Sequence, residues 1–166
     1  MRLWSDRVTE EINLFNPAFC STLLIEAVEK YNKRAPQTFP FALSFLVLPI
    51  VLHRGTRSSL PRSTVTSLLS WVQDNKEQLV DFSSRVQRLD QITRETITFA
   101  IQHEALKFDN GASLITGDGR MGITPKRTPL FTEEAKECTE RAGFLGRWFA
   151  SAGTTATIFS AWGIRP

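Results

Sequence analysis

Cysteine and histidine are scarce in this chain, with two of each among 166 residues. Cys20 and Cys138 lie far apart within apolar helical patterns. They lack metal or redox spacing, so the expectation is two reduced, buried thiols in a cytoplasmic protein. His53 and His103 are separated by fifty positions with no partner motif. Metal binding is therefore not expected, and His103, at the end of a helical pattern, reads as a packed or capping residue.

Long hydrophobic runs are also missing. The most apolar stretch, Phe39 to Leu52, contains Ser44, Pro40 and Pro49 and falls short of the roughly 20 residues needed to span a bilayer. It reads as a buried helix, and no membrane partner is expected. Met1 to Glu11 are charged and have no apolar core, which argues against a signal peptide. No internal repeat or low-complexity tract points to a solenoid. The net charge of +3 is weak for its sign, so nucleic-acid binding is allowed and not demanded.

Catalytic patterns are absent as well. Gly117-Asp118-Gly119 lacks the lysine and serine of a phosphate-binding loop and the acidic spacing of a calcium loop, and it reads as a turn. No serine sits in a nucleophile elbow, and neither cysteine has a visible base. The adjacent pairs Glu10-Glu11 and Glu133-Glu134 point to different helical faces, which suits solvation better than acid–base work. No catalytic residue, cofactor or metal site is expected.

What is present is a folded, mainly α chain. Hydrophobic residues make up 42% of it, ordinary for a globular domain. Its length fits one domain over 1–166, with a helical core over 16–124 and a C-terminal helical segment over 131–166. Asn16-Pro17 is a strong helix start, and apolar positions from Phe19 to Tyr31 mark one face of a helix running to about Arg34. Ala35 to Pro40 is read as a turn, and Phe41 to His53 as a buried helix kinked at Pro49. His53 to Arg62 reads as the clearest loop. Ser63 is expected to cap a helix carrying Val65, Leu68, Leu69 and Val72. Lys76 to Leu89 forms another, with Val80 turned inward, and Thr93 caps a third.

The period then changes. Ala105 to Phe108 and Ala112 to Thr116 read as strands of a hairpin, with Asn110-Gly111 in a tight primed turn, and a third short strand is expected near Met121 to Thr124. Three helices and a hairpin follow the order of a winged helix-turn-helix domain. Thr132 opens a long helix that Gly153 closes, and Thr155 starts a final short one.

Two groups of residues are candidate contacts. Arg54, Arg57 and Arg62 in the loop, with Lys126 and Arg127 after the hairpin, are placed to meet DNA phosphates; the other reading has them solvated or paired with acidic groups of a partner. The second group lies in the C-terminal third: Phe144, Arg147, Trp148, Phe149 and Trp162. These aromatic residues either complete the domain's own core or anchor a protein interface. Gly143 and Gly146, costly inside a helix, imply that another backbone comes close.

Asn16-Pro17-Ala18-Phe19-Cys20, the run Leu46 to His53, the Leu60-Pro61-Arg62-Ser63 turn, Phe144-Leu145-Gly146-Arg147-Trp148-Phe149 and the ending Trp162-Gly163-Ile164-Arg165-Pro166 resemble the middle component of bacterial three-component ABC systems. The family looks related to the small accessory subunit of Lamassu-type anti-phage defence. The resemblance implies a non-catalytic adaptor whose partners are an SMC-like ABC ATPase subunit and an effector subunit, expected to be a nuclease, with DNA as a non-specific contact of the complex. An independent winged-helix DNA-binding regulator is the alternative. A small enzyme using Asp118 or His103 is the weakest.

Overall fold

The computed structural model describes residues 15–119 and 132–165. Helix α1 (Pro17–Arg34) runs through the centre, with the Asn16 side chain accepting from the Ala18 amide and Pro17 at the first turn. Its inward residues Cys20, Leu23, Leu24, Ala27, Val28 and Tyr31 are buried, so the helix start and the apolar stripe both stand as read.

Residues 39–40 form a short strand, β1, in place of the expected turn. A 3-10 turn over Phe41–Leu43 leads into α2 (Ser44–Val51), which is buried except at the half-buried Phe45 and carries Pro49. Helix α3 (Arg54–Ser59) then occupies what composition alone reads as loop. His53 caps it by accepting from the Thr56 amide at 3.1 Å. Burial, followed by the nearby charges of Arg85 and Arg57, lowers the pKa of that imidazole, which keeps the accepting ring nitrogen unprotonated.

Helix α4 (Leu68–Asp74) starts four residues later than expected, capped by Ser67 and not Ser63, and Val65 is 92% exposed outside it. After a 3-10 turn over Lys76–Leu79, α5 runs unbroken from Phe82 to Gln102. Thr93 is a buried interior residue of α5 and not a cap, because no Gly or Pro interrupts the stretch. Val80 stays 66% exposed in the turn before α5.

Strands β2 (Leu106–Phe108) and β3 (Ser113–Thr116) form the expected hairpin. Of its loop residues only Gly111 has positive φ (122°), so the connection is wider than a two-residue primed turn. The antiparallel sheet has the order β1-β3-β2, with Phe39 opposite Leu114. Asn32 of α1 pins it, accepting from the Phe39 amide at 2.7 Å and donating to the Leu114 carbonyl at 3.1 Å. The strand expected near Met121 to Thr124 lies outside the described residues.

Helix α6 (Glu133–Ala150), capped by Thr132, packs along α1, and α7 (Thr155–Ala161) returns over the end of α4. The fold is mainly α with a small β-hairpin, and one hydrophobic cluster joins the earlier helices to the C-terminal pair. No helix among the described residues is long and apolar enough to cross a membrane.

Candidate partner-docking groove

Helix α6 has two working faces. Cys138, Ala142, Leu145 and Phe149 turn inward against α1, one apolar stripe at steps of four, three and four. Gly146 lets the two helices meet at backbone distance: a Cβ there would lie 2.2 Å from the Ala27 carbonyl oxygen. The close neighbour implied by that glycine is therefore α1 of the same chain.

The other face, Glu137, Glu140, Arg141, Phe144 and Arg147, lines an open groove of about 480 Å³. Glu26 of α1 and Arg62, in the turn beyond α3, supply the remaining lining. Phe144 is its apolar component, with only 4% of its surface exposed, and the Arg141 guanidinium lies 5.7 Å from its ring centroid. Arg141 also donates to the Pro61 carbonyl at 3.0 Å, tying the Arg62 turn to α6.

The groove's charges differ in how far they are already engaged. Glu26 meets Lys30 at 3.4 Å, and Glu137 accepts from Arg57 at 3.0 Å. The side chains of Arg62, Arg147 and Glu140 make no ion pair or hydrogen bond to a described residue. Two unengaged guanidinium forks and one occupied only in part thus face a single unengaged carboxylate. Such forks suit planar oxyanions, carboxylates above all.

Of the expected contact residues, Phe144, Arg147 and Arg62 come together here, although they arise from separate parts of the chain. Trp148, Phe149 and Trp162 do not, being 1%, 0% and 1% exposed within their own chain. Trp148 packs on Trp71 at 5.6 Å and donates to the Thr66 carbonyl at 2.7 Å, while Trp162 packs on Trp71 and Phe82 at 5.4 and 4.6 Å. The expectation that these side chains anchor a partner is corrected on that ground: in this fold they are core.

Arg57 is corrected too. It is 1% exposed and donates to the Val51 carbonyl, Glu134 and Glu137 at 2.9, 2.9 and 3.0 Å, so it has no surface to offer a phosphate. Burial works against its charge, but the two carboxylates outweigh burial and its pKa is raised. Arg54 is exposed at the start of α3, and Lys126 and Arg127 lie outside the described residues.

Residue reading missed Glu26, Glu137, Glu140 and Arg141. The signal was available in the spacing 137, 140, 141, 144 and 147, one face of a helix, but charges at such spacing also describe a solvated surface. Elsewhere, His103 ends α5 stacked on Phe99, with ring centroids 4.0 Å apart, and Asp118 pairs with Lys107 at 2.9 Å. The Gly117 and Gly119 amides donate to the Ala105 and Glu104 carbonyls, which holds that loop against the segment between α5 and β2. Among the described residues no group of three or more His, Cys, Asp or Glu is placed to hold a metal ion.

The described residues thus form a mainly helical fold with a closed aromatic core and a charged groove along α6. The family model of the ABC three-component system, Middle Component 3, matches residues 4–166, and the chain belongs to that family. No curated protein and no solved structure matches it.

Proposed function

We propose that this middle component is a non-catalytic adaptor that joins an SMC-like ABC ATPase to an effector subunit in a bacterial anti-phage complex. Membership of the family over 4–166 carries this reading, and the groove on α6 supports it with a surface whose charges are not engaged within the chain. Sensing and ATP turnover belong to the ATPase in this scheme, and any cleavage to the effector. The test is co-expression with the ATPase and effector encoded beside it: a stoichiometric complex is expected, and a chain that elutes alone would overturn the adaptor role.

A second reading, an independent winged-helix DNA-binding regulator, is favoured by one observation. The helices precede a small antiparallel hairpin whose β3 also pairs with β1, an order that is compatible with a wing. Against it, Arg94 on α5 is paired with Asp90 at 2.8 Å, and Arg57 is withdrawn into the core. Duplex DNA binding by the isolated chain that falls steeply with salt and is lost in Arg54→Glu would favour the regulator.

A further inference from the structure

We infer that the groove between α6 and the Arg62 turn receives an acidic segment of a partner protein, with its carboxylates seated on Arg62 and Arg147. This rests on the adaptor reading and gives that role a site and a chemistry. The groove's volume of about 480 Å³ lies within the range of ligand pockets, but its lining is mostly charged and Phe144 is its one aromatic member. A small apolar ligand would find little to bury against. Side chains of a docked segment need only reach in from the open side.

The balance of engaged and free charge sets the sign of the partner. Lys30 engages Glu26, and Arg57 is shared between Glu137 and Glu134, so these two carboxylates are neutralised only in part. Arg62 and Arg147 keep all their donors for an incoming group, and Arg141, whose Nη1 is held by the Pro61 carbonyl, keeps the rest of its fork. A guanidinium loses part of its hydration when a partner covers it, and a carboxylate in bidentate contact replaces those hydrogen bonds directly.

The same residues favour protein over nucleic acid. Glu140 is exposed on the rim, and Glu26 and Glu137 stand along the wall. A nucleic-acid backbone carries a negative charge at every phosphate and cannot follow the groove without passing these carboxylates. A peptide carries its carboxylates at discrete positions. It can place them on the arginines and set neutral or basic residues against Glu140, so that this free carboxylate, with the partly neutralised Glu137, acts as a filter against polyanions.

The experiment uses the full chain co-expressed with its ATPase and effector, with a photo-crosslinking amino acid at Glu140. The crosslinked peptide, mapped by mass spectrometry, is expected to come from one of the two partners and to contain Asp or Glu within a few residues of the crosslink. Arg62→Glu with Arg147→Glu should weaken assembly about tenfold or more, with unchanged thermal melting, since neither side chain is buried. Replacing the mapped acidic residues with Arg should restore it. Arg62→Gln with Arg147→Gln gives the same direction if the charge reversal disturbs folding.

Crosslinks to nucleic acid, or to a segment without acidic residues, would overturn the inference. So would full-affinity assembly of the double variant. If the wild-type chain forms no complex at all, the adaptor reading itself fails, an outcome distinct from a complex that forms while ignoring the groove.

Discussion

Gly143 and Gly146 sit within one turn of α6, yet a methyl group at each would meet different atoms. At Gly146 it would press on the Ala27 carbonyl oxygen at 2.2 Å and the Tyr31 nitrogen at 3.0 Å, both backbone atoms in the middle of α1. At Gly143 it would meet the end of the Glu26 side chain at 2.9 Å, which can rotate away. Gly146→Ala is therefore expected to destabilise the fold by about 1–3 kcal/mol, more than the helix-propensity gain of about 1 kcal/mol offsets. Gly143→Ala is expected to be neutral or to stabilise by up to about 1 kcal/mol. Urea unfolding followed by tryptophan fluorescence separates the two, and a Gly146→Ala protein as stable as wild type would refute the close approach.

The two thiols make a second prediction. Burial raises Cys20 to about 12 and Cys138 to about 11, both above the ordinary thiol value of 9.0. The unfolded chain therefore loses these protons near pH 9 while the folded chain keeps them. Stability contributed by the buried neutral thiols is complete below pH 9 and falls as pH rises toward 11 and 12, by about 1.4 kcal/mol per pH unit for each thiol. Cys138→Ala should make the alkaline branch of a denaturation series shallower between pH 9 and 11, and an unchanged slope there would refute the buried neutral thiol.

Among the elements, α3 shows how a helix forms where composition reads as loop. Gly, Thr and Ser offer little helix propensity, and the segment is only six residues long. Its stability comes from Arg57, which reaches back to the last turn of α2 through the Val51 carbonyl and across to Glu134 and Glu137 of α6. Arg85 adds a second guanidinium at the same place, donating to Thr56 Oγ1 at 3.0 Å and the Pro49 carbonyl at 3.3 Å. Two arginines thus satisfy carbonyls at the C-terminal end of the buried α2, where the helix dipole favours positive charge. Arg57→Met is expected to cost about 2–4 kcal/mol through lost charged hydrogen bonds and the Val51 carbonyl left without its guanidinium donor. Glu134→Gln should cost less than about 1 kcal/mol, because Glu134 is 65% exposed. Calorimetry on both variants checks the ordering.

Taken together, the helices enclose an aromatic centre in which Trp71, Trp148, Trp162 and Phe82 are in ring contact. Trp71 comes from α4, Trp148 from α6 and Phe82 from α5, so this cluster locks the C-terminal segment onto the earlier helices. Trp148→Ala is expected to cost about 3–5 kcal/mol and to lower Tm by about 10 °C or more. Any loss of assembly in that variant would report unfolding. Arg62→Glu with Arg147→Glu, by contrast, should leave Tm unchanged while assembly weakens about tenfold or more.

The extent of what residues alone disclose follows from where each signal is local. Asn16-Pro17 declares the start of α1 because capping is settled within one turn, and the hairpin declares itself through a change of period and the Asp-Asn-Gly turn residues. The strand at Phe39–Pro40 was not legible, since it exists only by pairing with Ser113 and Leu114 some seventy residues away and through the Asn32 bridge. Three of the seven residues that line the groove, Phe144, Arg147 and Arg62, were legible. The rest was not, because a glutamate or arginine on a helical face has the same local signature whether it is solvated or lines a recess.

The sequence by itself determined the mainly helical class, the caps and stripes of α1 and α6, the small hairpin and the family. Only the tertiary structure decided that the C-terminal aromatics are core, that Arg57 is a buried clamp, and that Arg62 and Arg147 share one groove. An apolar stripe requires cover but does not name its cover, and a charge requires solvent or a counter-charge but does not say which; those choices rest on contacts between residues far apart in the chain.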